Sequence, residues 1–229
     1  RTYQDLLRTP ADEARFSFYA TTAIQRVDLE GRTTPFLDPA LYRGIHPSPN
    51  GHFVLVTELR TPFSYQFPLD RFPSRVRVVD ASGQSVATLA EKPLKDKIPV
   101  DFDACEAGRR DFEWRDDQGA TLAWAEALDG GDPSKAAAHR DALYQLEPPF
   151  RGEGRLIAQV QNRFQGAVWG NDHLAILRMA GGRRAGRGPT AWIHPEAGSR
   201  ASSTTAPRRM PTGIRANSSP PPTPSTARH

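Results

Sequence analysis

Few side chains in this sequence have the types and spacings that metal chemistry could use. His46 and His52 are the closest pair of histidines, but their spacing matches neither a His-x3-His nor a paired-cysteine ligand pattern. Asp129 and Asp132 flank two glycines without the twelve-position ligand alternation of an EF-hand. We therefore expect turn or loop residues at both places, and we predict no metal site and no cofactor.

The nucleophiles that could support covalent catalysis are no better placed. The single cysteine, Cys105, cannot form an internal disulfide, and no cationic neighbour before Arg109 and no adjacent histidine activates its thiol. No Gly-x-Ser-x-Gly nucleophile elbow occurs anywhere in the 229 residues. The sequence thus predicts an inert thiol and no catalytic residue in this chain.

The residues up to Leu177 alternate short apolar runs with turn signals, a pattern typical of all-β sandwiches, barrels and propellers. Only two segments favour helix: an opening turn at residues 3–8, and an insertion at residues 134–143 that contains three successive alanines. The predicted strands are residues 19–29, 53–58, 75–79, 85–89, 121–126, 155–161 and 173–177.

Three stretches share one local pattern, in which a Trp or Pro leads into a polar turn and a run that is apolar on both faces follows. They are residues 46–56, 114–124 and 169–177. Asn, Asp and Gly in such turns adopt positive φ at low cost. A β-sandwich would explain one such hairpin, but the repetition favours a propeller, whose inner strands are sandwiched between blades. In that arrangement Trp114, Trp124 and Trp169 pack between blades rather than line a ligand groove.

Longer segments carry a family resemblance. The most specific is Trp-Ala-Glu-Ala-Leu-Asp-Gly-Gly-Asp-Pro at residues 124–133, which continues to Arg140-Asp141 and Leu143-Tyr144. The others are Tyr-Gln-Asp-Leu-Leu at 3–7, Pro-Ser-Pro-Asn-Gly at 47–51, Arg-Thr-Pro-Phe-Ser-Tyr at 60–65 and Arg-Phe-Pro at 71–73. In these segments the chain resembles the N-terminal propeller of prolyl oligopeptidase-like serine peptidases, in the glutamyl endopeptidase branch.

The resemblance implies a partial β-propeller of about three antiparallel blades over residues 1–177. In the intact enzyme the propeller covers an α/β-hydrolase domain with a Ser-Asp-His triad, restricts the access of peptides to it, and the enzyme cleaves after glutamate. This sequence lacks that domain, so we expect the chain alone to hydrolyse nothing and to meet peptides only through the missing domain. The alternative is a stand-alone scaffold that binds a protein partner, for which a propeller needs about four or more blades to close.

Residues 178–229 change abruptly to Gly, Arg, Pro, Ser, Thr and Ala, a composition typical of a disordered tail. The tail carries nine Arg and one acid, a net charge of +8, which leaves −4 on residues 1–177 of a chain with +4 in all. In the neighbouring reading frame, the codons of residues 178–182 permit Asp-Gly-Trp-Trp, and those of residues 209–217 permit Asp-Ala-Tyr-Arg-Asp-Pro-Gly-Glu. Both resemble what the family carries next, so we predict a frameshifted tail without evolved function.

Charge and hydropathy indicate whether the chain binds nucleic acid or a membrane. A basic arm for nucleic acid is the alternative interpretation of the tail, but it offers only Trp192 for base stacking, and the body is acidic. No apolar run approaches the roughly 20 residues that span a bilayer, so we expect a soluble chain without a membrane partner. The chain begins with Arg1, so we expect an export signal, if the parent has one, to lie outside this sequence. The compartment stays open, and a periplasmic or secreted parent is compatible with the sequence.

Overall fold

The computed structural model describes residues 3–171, 173–180, 190–193 and 202–203. It contains one α-helix, α1 (Pro10–Ala20), and fourteen strands among these residues. The strands are β1 (Thr22–Val27), β2 (Thr33–Ala40), β3 (Tyr42–Pro47), β4 (Phe53–Leu59), β5 (Ser74–Asp80), β6 (Ser85–Lys92), β7 (Arg110–Trp114), β8 (Leu122–Ala127), β9 (Asp141–Leu146), β10 (Arg155–Val160), β11 (Arg163–Asn171), β12 (Leu174–Ala180), β13 (Thr190–Ile193) and β14 (Ser202–Ser203). No helix among the described residues is long and apolar enough to span a membrane.

The strands form four antiparallel sheets, each built from strands consecutive in the chain. A two-stranded first sheet, β1-β2, precedes a second sheet β3-β4-β5-β6, a third sheet β7-β8-β9-β10 and a fourth sheet β11-β12-β13-β14. Three four-stranded meanders in succession make the fold propeller-like, because a propeller repeats such sheets as blades. This confirms the predicted all-β class and the three blades of antiparallel strands.

The repeated sequence pattern marks the same hairpin in each four-stranded sheet. Its three occurrences fall on the turns β3–β4, β7–β8 and β11–β12. In the first turn the Asn50 side-chain oxygen accepts hydrogen bonds from the Ser48 hydroxyl (2.8 Å) and the His52 backbone N–H (3.0 Å), and Gly51 adopts a φ of +70°. The apolar strand that follows lies second in its sheet and is paired on both edges.

Apolar side chains fill the space between successive sheets. Leu37 of β2 packs against Val54, Val56 and Val79 of the second sheet. A second cluster joins the second and third sheets: Leu55, Val76, Val78, Leu89, Trp114, Ala120, Leu122 and Phe150. A third cluster joins the third and fourth sheets: Ala123, Ala125, Leu143, Ile157, Ala158, Val160, Phe164, Trp169, Ala175, Leu177 and Met179. The sheets therefore pack face to face in chain order, and the inner sheets are buried on both faces.

Both predicted helices are wrong. The first helix begins at Pro10 instead of Tyr3, because Thr9 caps it: the Thr9 hydroxyl accepts from the Asp12 backbone N–H, and the Asp12 carboxylate accepts from the Thr9 backbone N–H. Residues 134–140 form an irregular segment of bends and β9 begins at Asp141; the Lys135 carbonyl accepts a hydrogen bond from the Arg140 guanidinium (2.8 Å) rather than from a helical amide. Tertiary contacts override the helix propensity of the three alanines.

Most predicted strands are confirmed, with two differences. The predicted strand at residues 19–29 is shorter, since α1 includes Ala20 and β1 covers only Thr22–Val27. Strand β12 continues to Ala180, so the predicted domain boundary at Leu177 falls inside a strand. The backbone of β13 and β14 also falls in the predicted tail, and the rest of that tail lies outside the described residues. Strands β2, β3, β7, β9 and β11 were not predicted.

Candidate functional site

A buried ionic cluster lies at one end of the third sheet, within the most family-specific sequence segment. Asp141, fully buried at the start of β9, accepts from Arg163 (3.0 Å), from Arg110 and from the Phe164 backbone N–H (2.6 Å). Asp129 accepts from Arg163 at 2.7 Å through both carboxylate oxygens, and from Arg140 at 2.7 Å. The cluster therefore links the first residues of β7 and β9, and the turn after β8, to the first residue of β11.

The charges in this cluster stabilise one another. Burial alone raises the pKa of Asp129, but the hydrogen bonds from Arg163 and Arg140 outweigh it and hold the pKa below its ordinary value. Burial lowers the pKa of Arg110, and the neighbouring Asp111 and Asp141 outweigh that effect and raise it. Each carboxylate of the cluster is paired with at least one guanidinium group, so the cluster stabilises the fold rather than offering a reactive group.

A loop pocket of about 630 Å³ lies between the end of β6 and the connection to β7. The ammonium groups of Lys92 and Lys95 lie 2.6 Å and 3.2 Å from the two carboxylate oxygens of Glu106. Burial lowers the pKa of Lys92, with Glu106 acting in the opposite direction. Both ammonium groups therefore pair with the single Glu106 carboxylate, and neither is left without a partner in this pocket.

A second pocket, of about 550 Å³, lies where the first strands of the three four-stranded sheets approach one another. We call it the first-strand pocket; His46 of β3, Phe112, Glu113 and Trp114 of β7, Asp116 of the following turn and Trp169 of β11 line it. The Trp114 indole N–H donates to the His46 carbonyl (2.7 Å) and so connects β7 to β3. The pocket therefore combines acidic side chains of β7 and its following turn with aromatic side chains of β7 and β11.

Glu113 is the most perturbed carboxyl of this pocket. Burial raises its pKa from 4.5 to about 7, although the Trp169 indole N–H and the Ala167 backbone N–H face it and act in the opposite direction. The negative charges of Asp111 and Asp116 raise it further. Glu113 Oε1 and Trp169 Nε1 are both sealed from solvent, and neither has a hydrogen-bond partner of good geometry. Sequence analysis missed Glu113, because no local signal distinguishes this glutamate from an exposed one.

This pKa gives stability a defined pH dependence. The folded state holds the Glu113 proton more tightly than the unfolded state, so the associated stability is present below about pH 4.5 and is lost as the pH rises towards 7. We expect Glu113→Gln to raise the free energy of unfolding by about 1–3 kcal/mol at pH 8, after a discount for partial exposure, and to change it little at pH 4.5. Urea unfolding at both pH values measures this difference.

Glu147→Gln, which makes the same change at an exposed turn position, is the matched control and should leave stability unchanged at both pH values. If the free energy of unfolding falls by the same amount in wild type and Glu113→Gln as the pH rises, ionisation of Glu113 is not the cause of the fall, and the prediction is wrong.

The residues singled out from the sequence have separate roles. His46 lies at the first-strand pocket and His52 is exposed; among the described residues, no group of three His, Cys, Asp or Glu side chains is arranged to hold a metal. Asp132 accepts from the Ser134 N–H and hydroxyl, apart from the buried Asp129. Burial raises the pKa of the Cys105 thiol.

The three tryptophans divide between two kinds of packing. Trp114 and Trp169 belong to the clusters between sheets, as predicted. Trp124 is buried and stacks on Tyr144 of the neighbouring strand, with ring centroids 5.7 Å apart.

Comparison with known proteins gives a relationship to peptidases. Over 179 residues the chain is 32% identical to a probable glutamyl endopeptidase, chloroplastic, from Oryza sativa subsp. japonica, covering 77% of this chain and 19% of that protein. It is 35% identical over 179 residues to the protein of the same name from Arabidopsis thaliana, covering 77% of this chain and 18% of that protein. The chain thus spans about a fifth of the length of these relatives. No protein-family model matches it.

Among solved structures, an uncharacterized protein from Listeria monocytogenes matches with a TM-score of 0.48 and 12% identity, covering 82% of this chain and 48% of that one. A similarity at this level adds nothing to the assignment of fold or function.

Proposed function

We propose that this chain is the propeller-like, non-catalytic part of a serine peptidase of the prolyl oligopeptidase family, related to the glutamyl endopeptidases. The observation that carries the proposal is the similarity to two proteins of that name over 77% of the chain, confined to about a fifth of their length. The three four-stranded meanders are of the kind that such a propeller requires. The sequence lacks a Gly-x-Ser-x-Gly elbow, so the nucleophile belongs to another part of the protein.

The role proposed for this part is to limit and orient the peptides that reach an α/β-hydrolase domain. Sheets that are buried on both faces and tied by ionic groups form a rigid wall, which suits a gate that excludes folded proteins. Cleavage after glutamate is proposed for the intact enzyme on the strength of the relatives' name alone.

Uncovered apolar side chains at both ends of the stack support a larger assembly. Val168, on the face of the fourth sheet that points away from the third, is 54% exposed. Phe18, Tyr19 and Leu29, near the first sheet, are 77%, 80% and 102% exposed. The Phe18 and Tyr19 ring centroids lie 5.2 Å apart, and an exposed apolar patch of this kind normally packs against further structure. We propose that further blades of the parent protein cover these faces.

The experiment that tests this function starts with the gene. We propose that resequencing across the codons for residues 177–182 and downstream reveals a single-base shift, and that the corrected frame encodes Trp-Trp and a later Gly-x-Ser-x-Gly. The corrected product should hydrolyse succinyl-Ala-Ala-Glu-p-nitroanilide at least about tenfold faster than the Gln analogue, because the charged side chain is selected in the transition state. The present 229-residue chain should hydrolyse neither.

Two results would count against the proposal. An unchanged frame would make the tail genuine, and hydrolysis by the present chain would place a nucleophile where the sequence has none. A stand-alone interaction scaffold is the alternative, and light scattering distinguishes the two, because the exposed faces predict self-association whereas a scaffold should be a protease-resistant monomer.

A further inference from the structure

We propose that the first-strand pocket binds an organic cation, an alkylammonium or guanidinium group of the kind that lysine and arginine side chains of a peptide present. The inference concerns ligand binding by the described residues, and it stands whether or not the proposed peptidase function is correct. The test measures binding and not hydrolysis, so a failure of cation binding does not contradict the proposed peptidase function, and the reverse also holds.

The charges around the pocket are acidic. Glu113 and Asp116 contribute two carboxyl groups to its lining, and no Lys or Arg is among the described residues that line it. Arg115 is not among the lining residues: its guanidinium stacks on the Trp169 ring, and the Asp117 carboxylate pairs with it at 3.1 Å and 2.6 Å. A cation entering the pocket therefore meets uncompensated negative charge.

The aromatic lining suits the same ligand. The guanidinium carbon of Arg115 lies 4.4 Å from the Trp169 ring centroid, so Arg115 already occupies one face of this ring and a ligand would contact only the part that lines the pocket. Trp114 is held in place by its hydrogen bond to the His46 carbonyl, so its ring is a fixed wall of the pocket. Aromatic faces combined with carboxylates are the usual surroundings of bound ammonium groups.

The buried polar atoms of the pocket lack partners. Glu113 Oε1 is an acceptor without a donor of good geometry, and an ammonium or guanidinium group would supply that donor. The indole N–H of the buried Trp169 faces Glu113 but is likewise without a well-aligned acceptor. A partly buried carboxylate with one acceptor oxygen sealed from solvent is a group that a cationic ligand can satisfy.

Binding should depend on pH. Because burial raises the pKa of Glu113 to about 7, a proton competes with the cation below that pH. Asp111 of β7 and Asp116 of the following turn add negative charge near Glu113, β11 contributes only the N–H groups of Ala167 and Trp169, and His46 of β3 is the other titratable group of the pocket. Affinity should therefore increase between about pH 6 and pH 8, and His46→Gln should keep this increase if Glu113 is its source.

Isothermal titration calorimetry on the full chain tests the proposal with three probes. Nα-acetyl-lysine N-methylamide should bind saturably at pH 8, whereas Nα-acetyl-norleucine N-methylamide, which lacks the ammonium group, should not. n-Butylammonium distinguishes the source of the cation: equal binding shows that the amine alone is recognised, and weaker binding shows that the peptide backbone contributes. Self-association through the opposite face of the fourth sheet does not cover this pocket.

Variants assign the binding to this pocket. Glu113→Gln should weaken binding of the lysine probe at least about tenfold at pH 8, because the negative charge that pairs with the ammonium group is lost while the acceptor oxygen remains. Glu147→Gln, at an exposed turn, should bind as the wild type does. Asp116→Asn, at an exposed position that does not threaten folding, should weaken binding about two- to threefold. Equal binding by wild type and Glu113→Gln, equal binding of the norleucine probe, or no saturable binding at pH 8 would each overturn the proposal.

Discussion

Replacing Asp141 by asparagine is expected to lower the free energy of unfolding by about 3–5 kcal/mol, because it leaves Arg110 and Arg163 buried without their shared carboxylate. Asn also offers one side-chain acceptor oxygen where Asp141 offers two, so the Phe164 N–H or an arginine loses its partner. Domains of this size are stable by only about 5–15 kcal/mol, so the loss is a large part of the total. Urea unfolding followed by tryptophan fluorescence measures it.

Asp38→Asn is the matched control for this prediction. Asp38 is exposed in β2, so the same change of charge should alter the free energy of unfolding by less than about 0.5 kcal/mol. If Asp141→Asn lowers the free energy of unfolding by less than about 1 kcal/mol, the two arginines find other acceptors in the variant. The ionic cluster would then contribute little to holding the third and fourth sheets together.

Replacing Gly131 by alanine is expected to cost about 2–4 kcal/mol. Gly131 has a φ of +79°, where an L side chain is strained, and an added Cβ would lie 2.0 Å from the Cys105 carbonyl oxygen. That oxygen belongs to a backbone held in place, since the Cys105 N–H donates to the Gly131 carbonyl at 3.1 Å. The clash therefore has to move one of two chain segments, at a cost comparable to overpacking a core.

The neighbouring Gly130 separates the cost of backbone strain at positive φ from the cost of the clash with the Cys105 carbonyl oxygen. Gly130 has a φ of +69°, but its added Cβ would meet only the flexible Lys135 ammonium at 3.5 Å. Gly130→Ala should therefore cost only the backbone strain, about 1 kcal/mol. Equal losses for the two alanine variants in thermal or urea unfolding would show that the 101–109 connection moves freely away from Gly131.

The family-specific segment at residues 124–133 acquires a physical explanation from these contacts. Asp129 is the buried acceptor for Arg163 and Arg140, and its carboxylate also accepts from the Gly131 N–H at 3.0 Å. Gly131 provides the close approach to the Cys105 backbone. Both residues are therefore explained by their part in the fold.

The sequence predicted the strands that carry strong local signals. Phe53–Leu59 is apolar throughout and follows an Asn-Gly turn, so its pattern identifies a strand buried on both faces. Strands β7 and β11 escaped prediction, because charged residues interrupt β7 and a glutamine and two glycines interrupt β11. The helix at Pro10 had a local signal in Thr9, Pro10 and Asp12 that sequence analysis overlooked.

By itself, then, the sequence determined the all-β class, the repeated hairpin and the relationship to peptidases, because turn chemistry, strand periodicity and identical residues are local properties. Only the tertiary structure decided that Asp129 belongs to an ionic cluster with Arg163, 34 residues away in the chain. It also decided that Glu113 meets Trp169 in a pocket formed by three strands of three different sheets. The physical reason is that burial and charge pairing depend on which segments pack together, and these are set by long-range contacts that no short window of sequence contains.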